Sequence, residues 1–188
     1  RLAAEQGHAG AQYNLGFLYL EGRAVERDEV LALMWFTLAA EQGDGLAVTH
    51  RNDLARRLRA GQVAVARQLA RFRAAAGDGN AVAEFNLGVM YLTGRRIEQD
   101  DEEALRWFRR AAGHGHTGAI FNLGFMYLEG RNVDQDDVEA QKWFILATGQ
   151  GDDRAVRAQT FLAQRMTPQQ MGEAQARARA WQARPGAR

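Results

Sequence analysis

The sequence predicts an all-α solenoid of stacked helix–turn–helix units, and three observations predict it. Asn14-Leu15-Gly16 returns as Asn86-Leu87-Gly88 and Asn122-Leu123-Gly124, at spacings of 72 and 36 residues. Trp35-Phe36 returns as Trp107-Phe108 and Trp143-Phe144 at the same spacings. Glycine stands at Gly7, Gly43, Gly79, Gly115 and Gly151, and alanine at Ala3, Ala39, Ala75, Ala111 and Ala147, two columns in phase over 36-residue steps. A period of this length marks a repeat array, in which each unit buries its apolar face only against its neighbours.

Each unit reads as two helices. Helix A of the first complete unit spans roughly Ala9 to Leu20, with Tyr13, Leu15, Gly16, Leu18 and Tyr19 supplying apolar positions at helical spacing. Gly22, Gly94 and Gly130 stand where this helix should end in a left-handed residue. Asp28, Asp100 and Asp136 stand where helix B should begin, each a short carboxylate able to accept the first free N–H groups. Helix B carries Trp35, Phe36, Ala39 and Ala40 and ends at the Gly43 column. Gly16, Gly88 and Gly124 lie inside helix A, where glycine costs about 1 kcal/mol against alanine. Close approach of the helix bearing the Trp-Phe pair is the compensation they imply.

In chain order, 1–8 is the tail of a preceding repeat, because Ala3-Ala4-Glu5-Gln6-Gly7 recurs as Ala39-Ala40-Glu41-Gln42-Gly43. The chain, which begins at Arg1, is therefore expected to be cut from a longer array. A regular repeat occupies 9–44. Residues 45–77 lack both signatures, yet Phe72, Ala75, Ala76 and Gly79 stay in phase. They read as an irregular, arginine-rich helix pair in a repeat slot, with a shortened loop near Gly61. Regular repeats follow at 78–116 and 117–152. The closing pair, 153–188, echoes the irregular one 108 residues on: Ala47-Val48 against Ala155-Val156, and Leu54-Ala55-Arg56-Arg57-Leu58 against Leu162-Ala163-Gln164-Arg165-Met166. Thr167-Pro168 signals the start of a last helix reaching about Trp181.

Composition narrows the function. Of 188 residues, 46% are hydrophobic and 25% charged, with a net charge of +1, so no global field draws the molecule onto nucleic acid or an acidic membrane. Only Pro168 and Pro185 interrupt helix formation. The chain has neither cysteine nor serine, which removes disulfides, thiolate metal sites, and thiol or serine nucleophiles. No apolar run approaches the length of a membrane span. Of 24 basic residues all but Lys142 are arginine.

The pattern A-x-x-N-L-G-x-x-Y-L-x-G-R-x-V-x-x-D, followed by A-x-x-W-F-x-x-A-A-x-x-G, resembles the Sel-1-like repeat, a relative of the tetratricopeptide repeat. The resemblance is strong over 1–44 and 78–152 and rests on spacing alone over 45–77 and 153–188. It implies a right-handed α-α superhelix with a concave inner face, and adaptor roles in signalling, envelope processes or host–microbe contact, with few members having intrinsic activity. Some members staple each hairpin with a cysteine pair; this chain must hold its hairpins by packing.

The same resemblance implies a binding groove lined by helix A. Carried onto this chain, the inward positions are Asn14, Phe17 and Glu21, then Asn86, Val89 and Thr93, then Asn122, Phe125 and Glu129. The i, i+3, i+7 spacing places each trio on one helical face. An asparagine amide can donate to and accept from a peptide backbone. The alternative is a structural asparagine column bonding the adjacent helix, with the phenylalanines drawn into burial.

Other clusters carry less. Asp100-Asp101-Glu102-Glu103 and Asp134-Gln135-Asp136-Asp137 lack the glycine and spacing of a calcium loop and suit helix N-termini. His114-Gly115-His116, with His8 in the column of His116, lacks a third ligand; His116, Asp44, Asn80 and Asp152 read as solvated turn residues. Arg51, Arg56, Arg57, Arg59, Arg67, Arg71 and Arg73 form a basic run with Phe72 as its one aromatic, more like a solvated helix face than a nucleic-acid track. The expectation is a non-enzymatic scaffold for a protein or peptide, without cofactor, metal or membrane insertion. Self-association through array ends and nucleic-acid binding through Arg51–Arg73 are the rival readings.

Overall fold

The computed structural model describes residues 1–95 and 97–183; the end of the predicted closing segment, with Pro185, lies outside the described residues. All regular structure described is α-helix: α1 (Leu2–Glu5), α2 (Ala9–Glu21), α3 (Glu29–Glu41), α4 (Gly45–Arg57), α5 (Ala60–Gly77), α6 (Ala81–Thr93), α7 (Asp101–Gly113), α8 (Thr117–Glu129), α9 (Asp137–Gly149), α10 (Asp153–Ala163) and α11 (Pro168–Gln182). The fold class is the all-α solenoid of stacked hairpins. The chain divides into two compact units, the first ending at Asp78 and the second beginning at Gly79.

In the first unit α1 packs on α2, α2 pairs with α3, and α4 and α5 both pack on α3. In the second unit α6 pairs with α7 and α8 with α9, α7 packs on α8, and α10 and α11 both pack on α9. No described helix is long and apolar enough to cross a membrane.

The A-to-B turn is built alike in all three regular hairpins. Gly22, Gly94 and Gly130 take φ of 69°, 62° and 69° and end helix A. The chain then returns, and the amides of Asp28, Asp100 and Asp136 donate to the carbonyls of Tyr19, Tyr91 and Tyr127, each at 3.0 Å. The side chains of the same aspartates cap helix B: Asp28 accepts from Val30 and Leu31, Asp100 from Glu103, and Asp136 from Glu139. Each cap contributes about 1 kcal/mol. One residue per hairpin thus ties the loop to helix A and starts helix B.

The B-to-A turn is also capped. Asp44, Asn80, His116 and Asp152 accept from the amides of Ala47, Ala83, Ala119 and Arg154 at 2.9, 3.0, 3.3 and 2.9 Å. These four are structural caps rather than merely solvated turn residues. Gly43, Gly79, Gly115 and Gly151 precede them with positive φ.

The intra-helix glycines are explained by close approach. A Cβ on Gly16, Gly88 or Gly124 would sit 2.7, 2.5 or 2.5 Å from the ring of Phe36, Phe108 or Phe144. Those three rings are fully buried. The contact is with the phenylalanine of the Trp-Phe pair, and it is made within a hairpin.

The irregular pair departs from expectation at its link. Leu58 and Arg59 alone join α4 to α5, and Gly61 lies inside the first turn of α5. Arg57 reaches back to Glu29 at 3.2 Å. The closing pair repeats this design, with Arg165 on Asp137. The guanidinium of Arg73 lies 4.6 Å over the Trp35 ring, and 108 residues later Trp181 packs edge-on against Trp143 at 4.7 Å.

Gly124→Ala is expected to destabilise the chain by about 1–3 kcal/mol through overpacking against Phe144, against alanine's better helix propensity. Gly172→Ala, in α11 with nothing within 4 Å of the new methyl, is expected to stabilise by about 0.5–1 kcal/mol. Urea denaturation followed by circular dichroism checks the opposite signs.

Candidate protein-binding interface

The predicted face lies on α2 in the first unit and on α6 and α8 in the second. Asn14 is exposed, and Asn86 and Asn122 are half-buried. None of the three amides hydrogen-bonds another described residue, so the column does not bond the adjacent helix. Glu21 and Glu129 are exposed, and Glu21 pairs with Arg23 at 3.0 Å. Thr93 is exposed and its hydroxyl donates to the carbonyl of Val89, which is half-buried. Phe17 is half-buried and Phe125 remains 36% exposed, so neither ring is drawn into the core.

Both rings belong to clusters that sequence reasoning only half saw. Phe17 meets Tyr13 edge-on at 5.2 Å and His50 at 4.8 Å. Phe125 meets Phe121 at 5.0 Å. Tyr13 in the first unit and Phe85 and Phe121 in the second hold the same repeat position, and each ring is met by a polar group from the following helical pair: His50 at 5.7 Å, His116 stacked at 4.3 Å, and the Arg154 guanidinium at 4.2 Å. The position recurs at the same 72- and 36-residue spacings as the Asn-Leu-Gly segments, which was the available signal. Its partners come from different repeat positions, which no periodicity exposes. The result is a set of half-open rings flanked by unbonded amides, suited to bury a side chain and read a backbone together.

The two histidines of His114-Gly115-His116 have separate duties. The Nδ1 of His114 lies 2.7 Å from Glu84, whose fully buried carboxylate also accepts from Arg110 at 3.0 Å. In the first unit the corresponding place is neutral: Gln42 donates to Gln12 at 2.7 Å, and Gln12 donates to the Ala4 carbonyl at 3.1 Å. His116 stacks on Phe85 and caps α8 through Nδ1, and its burial lowers its pKa. The carboxyl of Asp152 is likewise held low, first by the hydrogen bond from Arg154. Among the acidic loop residues, Asp101 is engaged by Arg131 through two bonds of 2.9 and 3.1 Å. No described cluster of three or more ligating side chains is placed to hold a metal.

Capped helical hairpins packed glycine-to-phenylalanine at a 36-residue period define a helical-repeat protein. The Sel1 repeat is matched at 9–44, 81–116 and 117–152, more than half the chain, and the chain belongs to the Sel1 repeat family. Repeats of this family generally mediate protein–protein interaction, and their proteins are typically non-catalytic scaffolds. The chain is 31% identical over 102 residues to the ERAD-associated E3 ubiquitin-protein ligase component HRD3B of Arabidopsis thaliana, covering 54% of this chain and 16% of the plant protein. It superposes on a protective antigen of uropathogenic Escherichia coli strains displaying an SLR fold, with TM-score 0.62 and 31% identity, over 97% of this chain and 39% of the antigen. A Sel1 repeat protein from Oxalobacter formigenes is 27% identical over 84% of this chain and 91% of its own, with TM-score 0.44. The chain thus spans well under half of both the plant protein and the antigen.

Because burial lowers the folded-state pKa of His116 below its ordinary 6.5, the unfolded chain binds the extra proton first. The stabilisation is complete above about pH 6.5 and fades as pH falls through the lower folded value. Protonated Nδ1 also cannot accept from Ala119. His116→Asn, which restores the residue type of Asn80, is expected to remove this acid-side loss and leave stability near pH 8 within about 0.5 kcal/mol. Melting temperature against pH for the two proteins measures it.

Proposed function

We propose that the chain is a non-catalytic adaptor that binds a protein or peptide segment through its A-helix faces: Asn14, Phe17 and Glu21 in the first unit, and Asn86, Val89, Thr93, Asn122, Phe125 and Glu129 in the second. The observation that carries the reading is the asparagine column. Its amides are unbonded among the described residues and stand beside rings that packing holds partly open. An amide that bonds nothing in its own fold is free to meet a backbone N–H and C=O at no cost to the hairpin. The neighbouring Phe17, Val89 and Phe125 offer apolar area for a ligand side chain. Family membership supports a protein partner, and the absence of serine and cysteine from the sequence weighs against an enzyme. The roles of the plant ligase component and the bacterial antigen belong to proteins much longer than the matched region, and they support interaction rather than any particular partner.

Asn14→Asp, Asn86→Asp and Asn122→Asp together convert three donor–acceptor groups into acceptors only, at accessible positions where folding should change by less than about 0.5 kcal/mol each. Affinity capture from native extract is expected to retain a partner on the wild type and lose it on the triple variant, both shown folded by circular dichroism. Equal capture by the two proteins, or recovery of only further copies of the chain, overturns the reading.

A further inference from the structure

The irregular pair does more than fill a repeat slot. Its helices α4 and α5 both rest on α3 and barely touch each other. The two-residue link at Leu58 and Arg59 holds them together at one end. Between them, over α3, lies a cleft of about 650 Å³. Leu33, Ala55 and Val63 give it apolar walls, and Arg51, Arg67 and Arg71 line it with positive charge. Glu41 is its one carboxylate.

The arginines of the sequence run are thus sorted by the fold. Arg56 pairs with Asp53, Arg57 with Glu29, and Arg73 covers Trp35. Arg51, Arg67 and Arg71 form no ion pair among the described residues. Arg51 is steadied by its neighbour Asn52, which accepts from it at 3.0 and 3.2 Å. Arg67 and Arg71 stand one helical turn apart on α5, a like-charge spacing that weakens a helix. The second unit supplies an internal comparison. There α9, α10 and α11 repeat the same three helices 108 residues on, and the matching positions are Gln159, Gln175 and Arg179, with Gly149 in place of Glu41. The skeleton therefore does not require the cationic set.

We propose that this cleft binds an extended acidic peptide segment of a partner protein. Side chains at i and i+2 of an extended strand lie on one side, about 7 Å apart, close to the spacing of residues one turn apart on a helix. Two carboxylates so placed meet Arg67 and Arg71, whose planar guanidiniums bind carboxylate bidentately. The apolar walls take a hydrophobic residue beside them. Glu41, exposed at the cleft, can accept from a peptide backbone N–H, a donor that a phosphate chain does not offer. The cleft lining also holds no aromatic ring on which a base could stack. None of the residues assigned to the A-helix faces lines this cleft, so failure of either reading leaves the other standing.

The test is selection of a displayed random-heptapeptide library against the full 188-residue chain. Recovered peptides are then measured by fluorescence anisotropy against wild type, Arg67→Gln/Arg71→Gln, and the position-matched control Arg179→Gln, all checked for folding by circular dichroism. The expected result is enrichment of peptides with acidic residues two apart. Their affinity should fall at least about tenfold in the double variant and stay unchanged in the control. The proposal is overturned by absence of enrichment, by enriched peptides without acidic residues, or by equal binding to the double variant. Displacement of the peptides by a twenty-nucleotide oligo-dT that binds more tightly through the same arginines also overturns it, in favour of nucleic acid.

Discussion

Each regular hairpin depends on a glycine pressed against a phenylalanine. Gly16, Gly88 and Gly124 remove the one atom that would otherwise hold helix A off the rings of Phe36, Phe108 and Phe144. The helix gives up about 1 kcal/mol of propensity at each glycine. Burying a phenylalanine ring recovers about 1.5–3 kcal/mol. The same rings carry the outward chemistry: Phe36 lies 5.5 Å from Phe17 and 5.8 Å from Tyr13, Phe108 lies 6.0 Å from Phe85, and Phe144 lies 5.5 Å from Phe125 and 5.9 Å from Phe121. The outer rings thus stand on the core contact itself, and the buried ring prevents them from collapsing inward. Folding and the open face are one piece of packing seen from two sides.

This is why so much of the fold could be read from the sequence. The glycine at the end of helix A, the aspartate before helix B and the Gly-Phe pair are each local or repeated at fixed spacing, and periodicity exposes both kinds of signal. The A-helix trios were likewise legible as positions, since they follow from helical geometry alone. Their environment was not. Whether Phe17 closes or stays open depends on His50 and Phe36, which arrive from other helices. The caps at Asp44, Asn80, His116 and Asp152 were obscured because four positions in one column use three different side chains for one hydrogen-bonding task. Glu84 was invisible for a related reason: a carboxylate on an apolar helix acquires meaning only when Arg110 and His114 close over it.

The two units also show what packing leaves free. Each ends in a helix that carries two others, α3 under α4 and α5, and α9 under α10 and α11. The capping aspartate, the arginine returning to the start of the carrying helix, and the buried alanines recur at matching positions. Ala47, Leu54, Ala66 and Ala70 are buried in the first unit, and Ala155, Leu162, Ala174 and Ala178 in the second. These positions fix the backbone and tolerate little change in volume.

The two units differ in the core as well as at the cleft: Leu33, Met34 and Leu69, all buried, stand at the places of Gln141, Lys142 and Arg177. Trp35 is covered by a guanidinium and Trp143 by a second indole, each able to lie against the ring face or edge. The cleft positions are arginine in one unit and mostly glutamine in the other. In a repeat protein, stability accrues from interfaces between neighbouring units. A side chain that touches no such interface can therefore change its charge with little consequence for folding. The constraint runs the other way as well: such a position gains nothing from the fold by being charged. Arg51, Arg67 and Arg71, which form no ion pair among the described residues and stand where the second unit has Gln159, Gln175 and Arg179, are therefore free to serve the proposed acidic ligand rather than the fold.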